Sequence, residues 1–492
     1  MWDEPGSDRE RQDVVGEGYG GIGLLLTVVF VFLTIISPEQ FGNEWANYHS
    51  LTILGGIIFL ISLRGVFTAL CFRASTQTLL LLGFIVAIGL SEIANGWFGG
   101  VIVSWKSFLP SAVVFFFIVA NVTTTRALKM LSLAIVASCL VVVVEALCGY
   151  YFGYRGETFL VSQTLFSQRL VVGEFVRIRG AGFLSDPNDF AQILLVALPL
   201  TFVAWRPGRS THNWLIVLTP AVLLLWAIYL THSRGALVGL VILAWMIARK
   251  KIGTTASVII TILLGTGLLA LNFTGGRMIS VDAGADRLSL WASGLQMFKS
   301  APFFGVGFGK FADFADITAH NSFVLCLAEL GSVGCTFWVA LIVTTVMGLN
   351  TIIRIREKAQ VGLAPAADDT QKEQPSFSRP RSRAVEKHSA NSNATFGSTN
   401  VSSENQTAIE CAVPAQWVVA IRLALISFIA TGWFLSRTYQ STVYLVLGLA
   451  TATIALHQYS DESPAPLRWV PYTLAVEAFA IIFIYEIVRL RF

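Results

Sequence analysis

AHNSFVLCLAELGSVG, residues 319–334, sets one histidine, His320, at the mouth of a long hydrophobic helix and closes on Glu329-Leu330-Gly331 and Gly334. The apolar run extends to residue 349. A bilayer's hydrocarbon is crossed by about 20 mostly apolar residues in a helix, so this run predicts a transmembrane segment. Immediately before it lies the longest polar loop that charge asymmetry assigns to the outside, residues 274–320.

Outward from that stretch the same signature repeats. The 492 residues are 54% hydrophobic and only 13% charged, with a mean hydropathy of +0.67. An average soluble domain carries about a quarter charged residues. Apolar runs fall near 20–37, 51–72, 77–94, 108–122, 130–150, 190–205, 214–231, 235–248, 254–273, 321–349, 416–435, 440–457 and 469–488. The expected fold is an all-α polytopic membrane protein of about twelve or thirteen spans, with a large periplasmic loop between spans 9 and 10. A thirteenth span would put Arg489 and Arg491 outside, against the positive-inside rule, so 469–488 reads either as a span or as an interfacial helix.

Short basic breaks fix the orientation. Arg64 with Arg73, Arg126 with Lys129, Arg206 with Arg209, and Arg249-Lys250-Lys251 recur at every second loop, which assigns those loops to the cytoplasm. The N-terminal segment carries Asp3, Glu4, Asp8, Glu10 and Asp13 where a signal peptide wants a basic start, so the first run reads as an uncleaved span. The expected organisation is a cytoplasmic tail, 1–19; a transmembrane catalytic core, 20–350; a disordered cytoplasmic linker rich in Ser, Asn, Thr and Gln, 351–415; and C-terminal transmembrane helices, 416–492. A net charge of +4 does not point to nucleic acid. Cys71, Cys139, Cys148, Cys326 and Cys335 sit in apolar runs and Cys411 in the linker, with no CxxC or zinc spacing, so they read as inert thiols and no metal site is expected.

Candidate chemistry lies on the outer side. Val176-Arg177-Ile178-Arg179 alternates like an extended segment, whose i and i+2 side chains share a face about 6 to 7 Å apart, a spacing that suits two groups of a diphosphate. The alternative is a surface hairpin with solvated arginines, which is favoured for Arg177 but not for Arg179, beside Gly180, Gly182 and Asp186-Pro187-Asn188. That last triplet is turn and helix-start chemistry. Ser233-Arg234-Gly235 lies between two apolar runs with almost no loop, so Arg234 is held at the outer face, as a headgroup anchor or as a bidentate phosphate ligand. Gly235 and Gly239 form a small-xxx-small packing face. Leu288, Trp291, Leu295 and Phe298 recur at helical spacing and predict an amphipathic helix lying at the interface, with Arg287 near its N-terminus. The glycine run 305–310 is no phosphate-binding loop and reads as a hydrophobic loop dipping into the interface.

A lone histidine at a helix start is more often a cap or a packed polar residue. Three arginine sites on the same face turn the balance for His320, where a helix N-terminus disfavours imidazolium and leaves a neutral ring able to accept a proton. His232 is the rival base on that face.

Taken in order, the motifs resemble the O-antigen ligase and polymerase superfamily of bacterial envelope glycosyltransferases. The match runs through Arg179-Gly180-x-Gly182-Phe183, Asp186-Pro187-Asn188-x-Phe190-Ala191, Ser233-Arg234-Gly235, Arg287-x-x-x-Trp291, Pro302-x-x-Gly305-x-Gly307, His320-Asn321-Ser322 and Glu329-Leu330-Gly331-x-x-Gly334, and covers residues 175–340. The resemblance implies a multi-pass protein of the bacterial inner membrane with its active site facing the periplasm. It implies a metal-independent, inverting transfer of a glycan from undecaprenyl diphosphate to an acceptor hydroxyl, with no cofactor. Arg179, Arg234, Arg287 and Arg177 would hold the diphosphate, His320 would activate the acceptor, and Asp186, Asn188 and Asn321 would support them. The acceptor is a lipid A core sugar for a ligase, the growing glycan for a polymerase, or a protein hydroxyl, with membrane lipids as surroundings. A transporter or flippase is the reading from a different class. It calls for midplane ionisable residues, for which Glu145, Glu477 and Glu486 are the candidates, and for internal repeats, of which there is no convincing sign.

Overall fold

A computed structural model of the protein describes residues 19–37, 50–68, 75–167, 170–271, 273, 281–362, 413–458 and 468–490. The N-terminal tail, most of the expected linker, Cys71 and Cys411 lie outside them. Helices α1 (Tyr19–Ile36), α2 (Ser50–Thr68), α3 (Ser75–Ala94), α4 (Gly100–Asn121) and α5 (Thr125–Phe152) lead into an antiparallel hairpin of β1 (Leu160–Ser167) and β2 (Leu170–Ile178). There follow α6 (Pro187–Leu200), α7 (Ser210–Leu230), α8 (Arg234–Ile252), α9 (Thr254–Ala270), α10 (Val281–Ser300), α11 (Ser322–Gly362), α12 (Ala415–Gly432), α13 (Ser441–Gln458) and α14 (Trp469–Arg489).

Nine of the described helices are long and apolar enough to cross a membrane, and α1, α9 and α13 are shorter apolar helices. With α8, each run read as a span contains a helix, and the protein is an all-α polytopic membrane protein. Some boundaries move. Helix α4 begins at Gly100, earlier than its apolar run, because Lys106 and Pro110 interrupt the hydropathy without ending the helix. Helix α11 continues past residue 350 to Gly362. Helix α14 packs along α10 and α11, where Thr336 Oγ1 donates to Glu477 Oε2 at 2.7 Å, and its length and composition suit a span.

The bundle has an inside and an outside. Protein buries 89% of the α6 stretch but 11% of α2. Helices α5, α7, α8 and α12 surround α6, whereas α2 turns most of its surface outward. Close approach follows small residues, since a Cβ on Gly239 would stand 2.9 Å from both Leu195 and Thr431, so the Gly235 and Gly239 stripe is a packing face. Cys139, Cys326 and Cys335 are buried and Cys148 partly so, all as free thiols.

Helix α11 is broken. At Gly331 the backbone takes φ 65° and ψ −165°, outside the helical region and open only to glycine. The carbonyls freed there accept from the loop before His320: Val306 N–H reaches Ala328 O at 3.0 Å and Gly307 N–H reaches Glu329 O at 3.1 Å. In return Ser332 and Val333 N–H donate to Pro302 O at 2.8 Å and Phe303 O at 3.1 Å. Ser91 Oγ donates to Glu329 O at 2.8 Å, and Phe311 N–H to Glu329 Oε1 at 3.0 Å. The glycine run therefore docks on the helix break, while Phe303 at its start stays largely exposed. The docking requires glycine, because a Cβ on Gly305 would fall 2.2 Å from the Glu329 carbonyl carbon.

Helix α10 differs from expectation. Its apolar stripe buries Trp291 and Leu295, and Gly294 comes so near α11 that a Cβ there would meet Val324 at 2.5 Å. The stripe covers protein rather than lying on lipid. The helix starts at Val281, so Arg287 sits well inside it rather than near its N-terminus.

Candidate functional site

Three helices begin at one end of the bundle, each capped beside a candidate residue. Asp186 caps α6 by accepting from Asn188 N–H at 2.6 Å, and Pro187 fits the first helical turn. Ser233 caps α8 by accepting from Ala236 N–H at 3.3 Å. Asn321 caps α11, its Oδ1 accepting from Phe323 and Val324 N–H at 2.9 and 3.0 Å. The positive dipole ends of these helices favour negative charge at this end of the molecule.

Two arginines lock the three starts together. Arg177, on β2, is buried, and its Nε donates to Thr231 O at 2.7 Å, just before α8. Its Nη1 donates to Gln163 Oε1 and its Nη2 to Asn188 Oδ1, both at 3.1 Å. Burial lowers this guanidinium to about 10, with Arg234 adding to the effect and Asp186 opposing it. The solvated arginine that a surface hairpin leads one to expect is thus an internal tie. Arg437, between α12 and α13, forms an ion pair with Asp189 on the first turn of α6 and donates its N–H to Ser322 Oγ at 2.8 Å on the first turn of α11. Thr438 Oγ1 donates to Ser322 O at 2.6 Å, and Ser322 Oγ to Leu435 O at 2.5 Å.

Arg437 was missed in the sequence, though a signal was present. Ser436-Arg437 stands between two apolar runs as Ser233-Arg234 does.

Two further arginines and a histidine at this end have no such ties. Arg234, Arg287 and His320 are each half-buried, and among the described residues none has a hydrogen bond or a carboxylate partner. Arg287 lies 5.9 Å from the centre of the Phe434 ring. Burial lowers the Arg287 guanidinium, and the neighbouring Arg234 charge lowers it further. His320 falls below the ordinary histidine range, first through burial, then through the charges of Arg287 and Arg437, against a smaller opposing pull from Asp186. The imidazole is therefore neutral at neutral pH. It sits on a residue at φ 51°, a left-handed conformation that costs a non-glycine residue about 1–3 kcal/mol and that the Asn321 cap holds in place. Asn321 Nδ2, on the next residue and buried, has no hydrogen-bond partner among the described residues.

The remaining candidates separate. Arg179 lies one residue beyond the end of β2 and donates Nε to Thr158 O and Nη2 to Glu157 O, each at 2.9 Å. The two-residue alternation that would align it with Arg177 requires a strand that continues, and this one stops, so Arg179 is not among the charges that reach His320. Asp186 and Asn188 take the supporting places expected of them, as a cap and as an acceptor for Arg177. His232 is buried, with Nδ1 3.0 Å from Phe273 O and its ring edge-on to Phe175 and Tyr229. A carbonyl can only accept, so Nδ1 carries the proton, and the ring's basic nitrogen, Nε2, belongs to a buried imidazole packed against Phe175 and Tyr229.

Two guanidinium groups without a carboxylate partner among the described residues, one of them near enough for its charge to act on the imidazole, can hold a doubly charged oxyanion while the ring takes a proton from a hydroxyl brought against it. Residues 219–339 match the O-antigen ligase family, a stretch that contains Arg234, Arg287 and His320. The resemblance read from the sequence is borne out, and it points to a membrane glycosyltransferase-like function. No curated protein matches the chain.

Proposed function

We propose that the protein moves a glycan from undecaprenyl diphosphate to an acceptor hydroxyl at the periplasmic face of the bacterial inner membrane, by a metal-independent, inverting displacement. What supports this reading is that charge links candidates from three separate segments, Arg234 acting on Arg287 and Arg287 on His320, while neither arginine has a carboxylate partner among the described residues. The lipid diphosphate is already a good leaving group and needs no acid. Charge building on its oxygens is stabilised by Arg234 and Arg287, preorganised in a half-buried site. His320 takes the proton as the acceptor oxygen bonds to the anomeric carbon and the carbon–oxygen bond to the diphosphate breaks. Attack from the side opposite the diphosphate inverts the anomeric centre. Arg177 and Arg437 keep the segments in register without touching the donor.

Within this reading a lipid A core acceptor, as in a ligase, is preferred, with polymerase and protein-modifying forms as close variants. A transporter is disfavoured, because the broken helix, often a sign of an ion path, has its freed backbone groups at residues 328 to 333 paired by residues 302 to 307 instead of lining a cavity.

The test is glycan transfer by purified protein in vesicles containing lipid-linked donor and defined acceptors. His320→Ala should lower the rate by about 10²- to 10⁴-fold at unchanged membrane abundance. A rate equal to that of the unaltered protein removes His320 as the base. Product analysis in the same vesicles separates a lipid A conjugate, a longer lipid-linked chain and a glycoprotein.

A further inference from the structure

Helices α8 and α11, which begin beside the candidate site, and α12, which ends just before Arg437, carry a second cationic group toward their other ends. Along α8, Arg249 follows Arg234 by about 22 Å at 1.5 Å per residue. Arg422 lies about 10 Å into α12, on the helix whose other end leads to Arg437. On α11 the group is met by Asn350, Arg354 and Glu357.

Most basic residues at this end are ordinary surface charges. Lys250 pairs with Glu357 at 3.0 Å with both side chains exposed, and Arg249 rests 4.9 Å above the Trp245 ring. Arg422 is different, since it sits half-buried in a helix that packs against α6, α8, α11 and α13. Its Nη1 donates to Asn350 Oδ1 at 3.0 Å, a neutral acceptor. Its Nε is buried and has no acceptor among the described residues. Glu357, the carboxylate whose charge reaches Arg422, is engaged by Lys250, and Arg249 adds a like charge nearby. The Nε and Nη2 edge of a guanidinium is the edge that grips two oxygens of one phosphate. Among the described residues nothing grips it.

We infer that Arg422 and Arg249, between the far ends of α8, α11 and α12, form a second binding site, for a phosphate group presented at the membrane surface opposite the candidate active site. Two sources share this chemistry, the headgroup of an anionic phospholipid and a soluble phosphate. Nothing in the proposed transfer reaction depends on this site, so either can fail alone.

The experiment uses the full chain purified in detergent. Native mass spectrometry measures retention of added phosphatidylglycerol against phosphatidylethanolamine, and melting is followed with and without inorganic phosphate. Preferential retention of phosphatidylglycerol assigns the headgroup, and a raised melting temperature in phosphate without lipid retention assigns the soluble anion. Arg422→Gln should weaken whichever is bound by about tenfold, as expected for loss of a charge-assisted bidentate pair. Should that variant not fold, Arg249→Gln, on an exposed side chain, takes its place and should show a loss in the same direction. The inference is overturned if the unaltered protein neither prefers the anionic lipid nor responds to phosphate, or if the folded variants bind as the unaltered protein does.

Discussion

Gly331→Ala isolates the break in α11. A Cβ at this position would stand 2.4 Å from the carbonyl carbon and oxygen of Phe303 and 2.6 Å from Phe304 N. These are backbone atoms and cannot rotate away, so the 302–307 loop must lift or the helix must straighten. The conformation itself, at φ 65° and ψ −165°, costs a residue with a Cβ about 1–3 kcal/mol. Four backbone hydrogen bonds tie the loop to the break, from Val306, Gly307, Ser332 and Val333 N–H. Losing half of them, at about 0.5–1.5 kcal/mol net each, brings the expected destabilisation to about 2–6 kcal/mol. Gly267→Ala is the control, in α9 with nothing within 4 Å of an added Cβ, and should be neutral or slightly stabilising. The measurement is reversible unfolding of the purified protein in mixed micelles with increasing denaturing detergent. Equal stability of the two variants would refute both the required backbone conformation and the docking of the loop.

The rate of transfer should fall as pH drops, because protonation removes the base, and the midpoint of that limb should lie below 6.5, the ordinary histidine value, since burial and the charges of Arg287 and Arg437 lower His320. Asp186→Asn should move the limb further down, because Asp186 alone among these charges raises His320 while Asn is an equally good helix cap; a limb that stays in place or moves up contradicts the assignment. Asp189→Asn should destabilise the protein by about 3 kcal/mol, since the Arg437 guanidinium would be left largely buried without its carboxylate; in a double-mutant cycle with Arg437→Met the two losses should fall well short of additive, and simple additivity would show that the pair is not a unit.

The spans were legible because hydropathy over 20 residues is a strong, local signal, and so was the helix start at Asp186-Pro187-Asn188, whereas Ser233 and Asn321 act as caps that the sequence reading did not pick out. His320, Arg234 and Arg287 were recognisable as cations on one side of an alternating charge pattern. Their convergence was not, since nothing local encodes which loops meet. Arg177 and Arg179 show the limit most directly: two identical side chains two residues apart have unlike surroundings because β2 ends between them. The docking of the glycine run was hidden for another reason. Its apolar composition suggested contact with lipid, whereas its glycines answer to the backbone of a helix far along the chain, at Ala328 to Val333.

Arg234 and Arg287 repel one another, and among the described residues neither has a carboxylate partner. On the proposed reaction, the donor enters with its diphosphate esterified at both ends, and the spent carrier leaves with one end bare and more negative. The cations therefore grip the departing lipid more tightly than the arriving one. Turnover in such an enzyme is set by how quickly the membrane draws the used carrier away, and downstream recycling of that lipid becomes part of its speed.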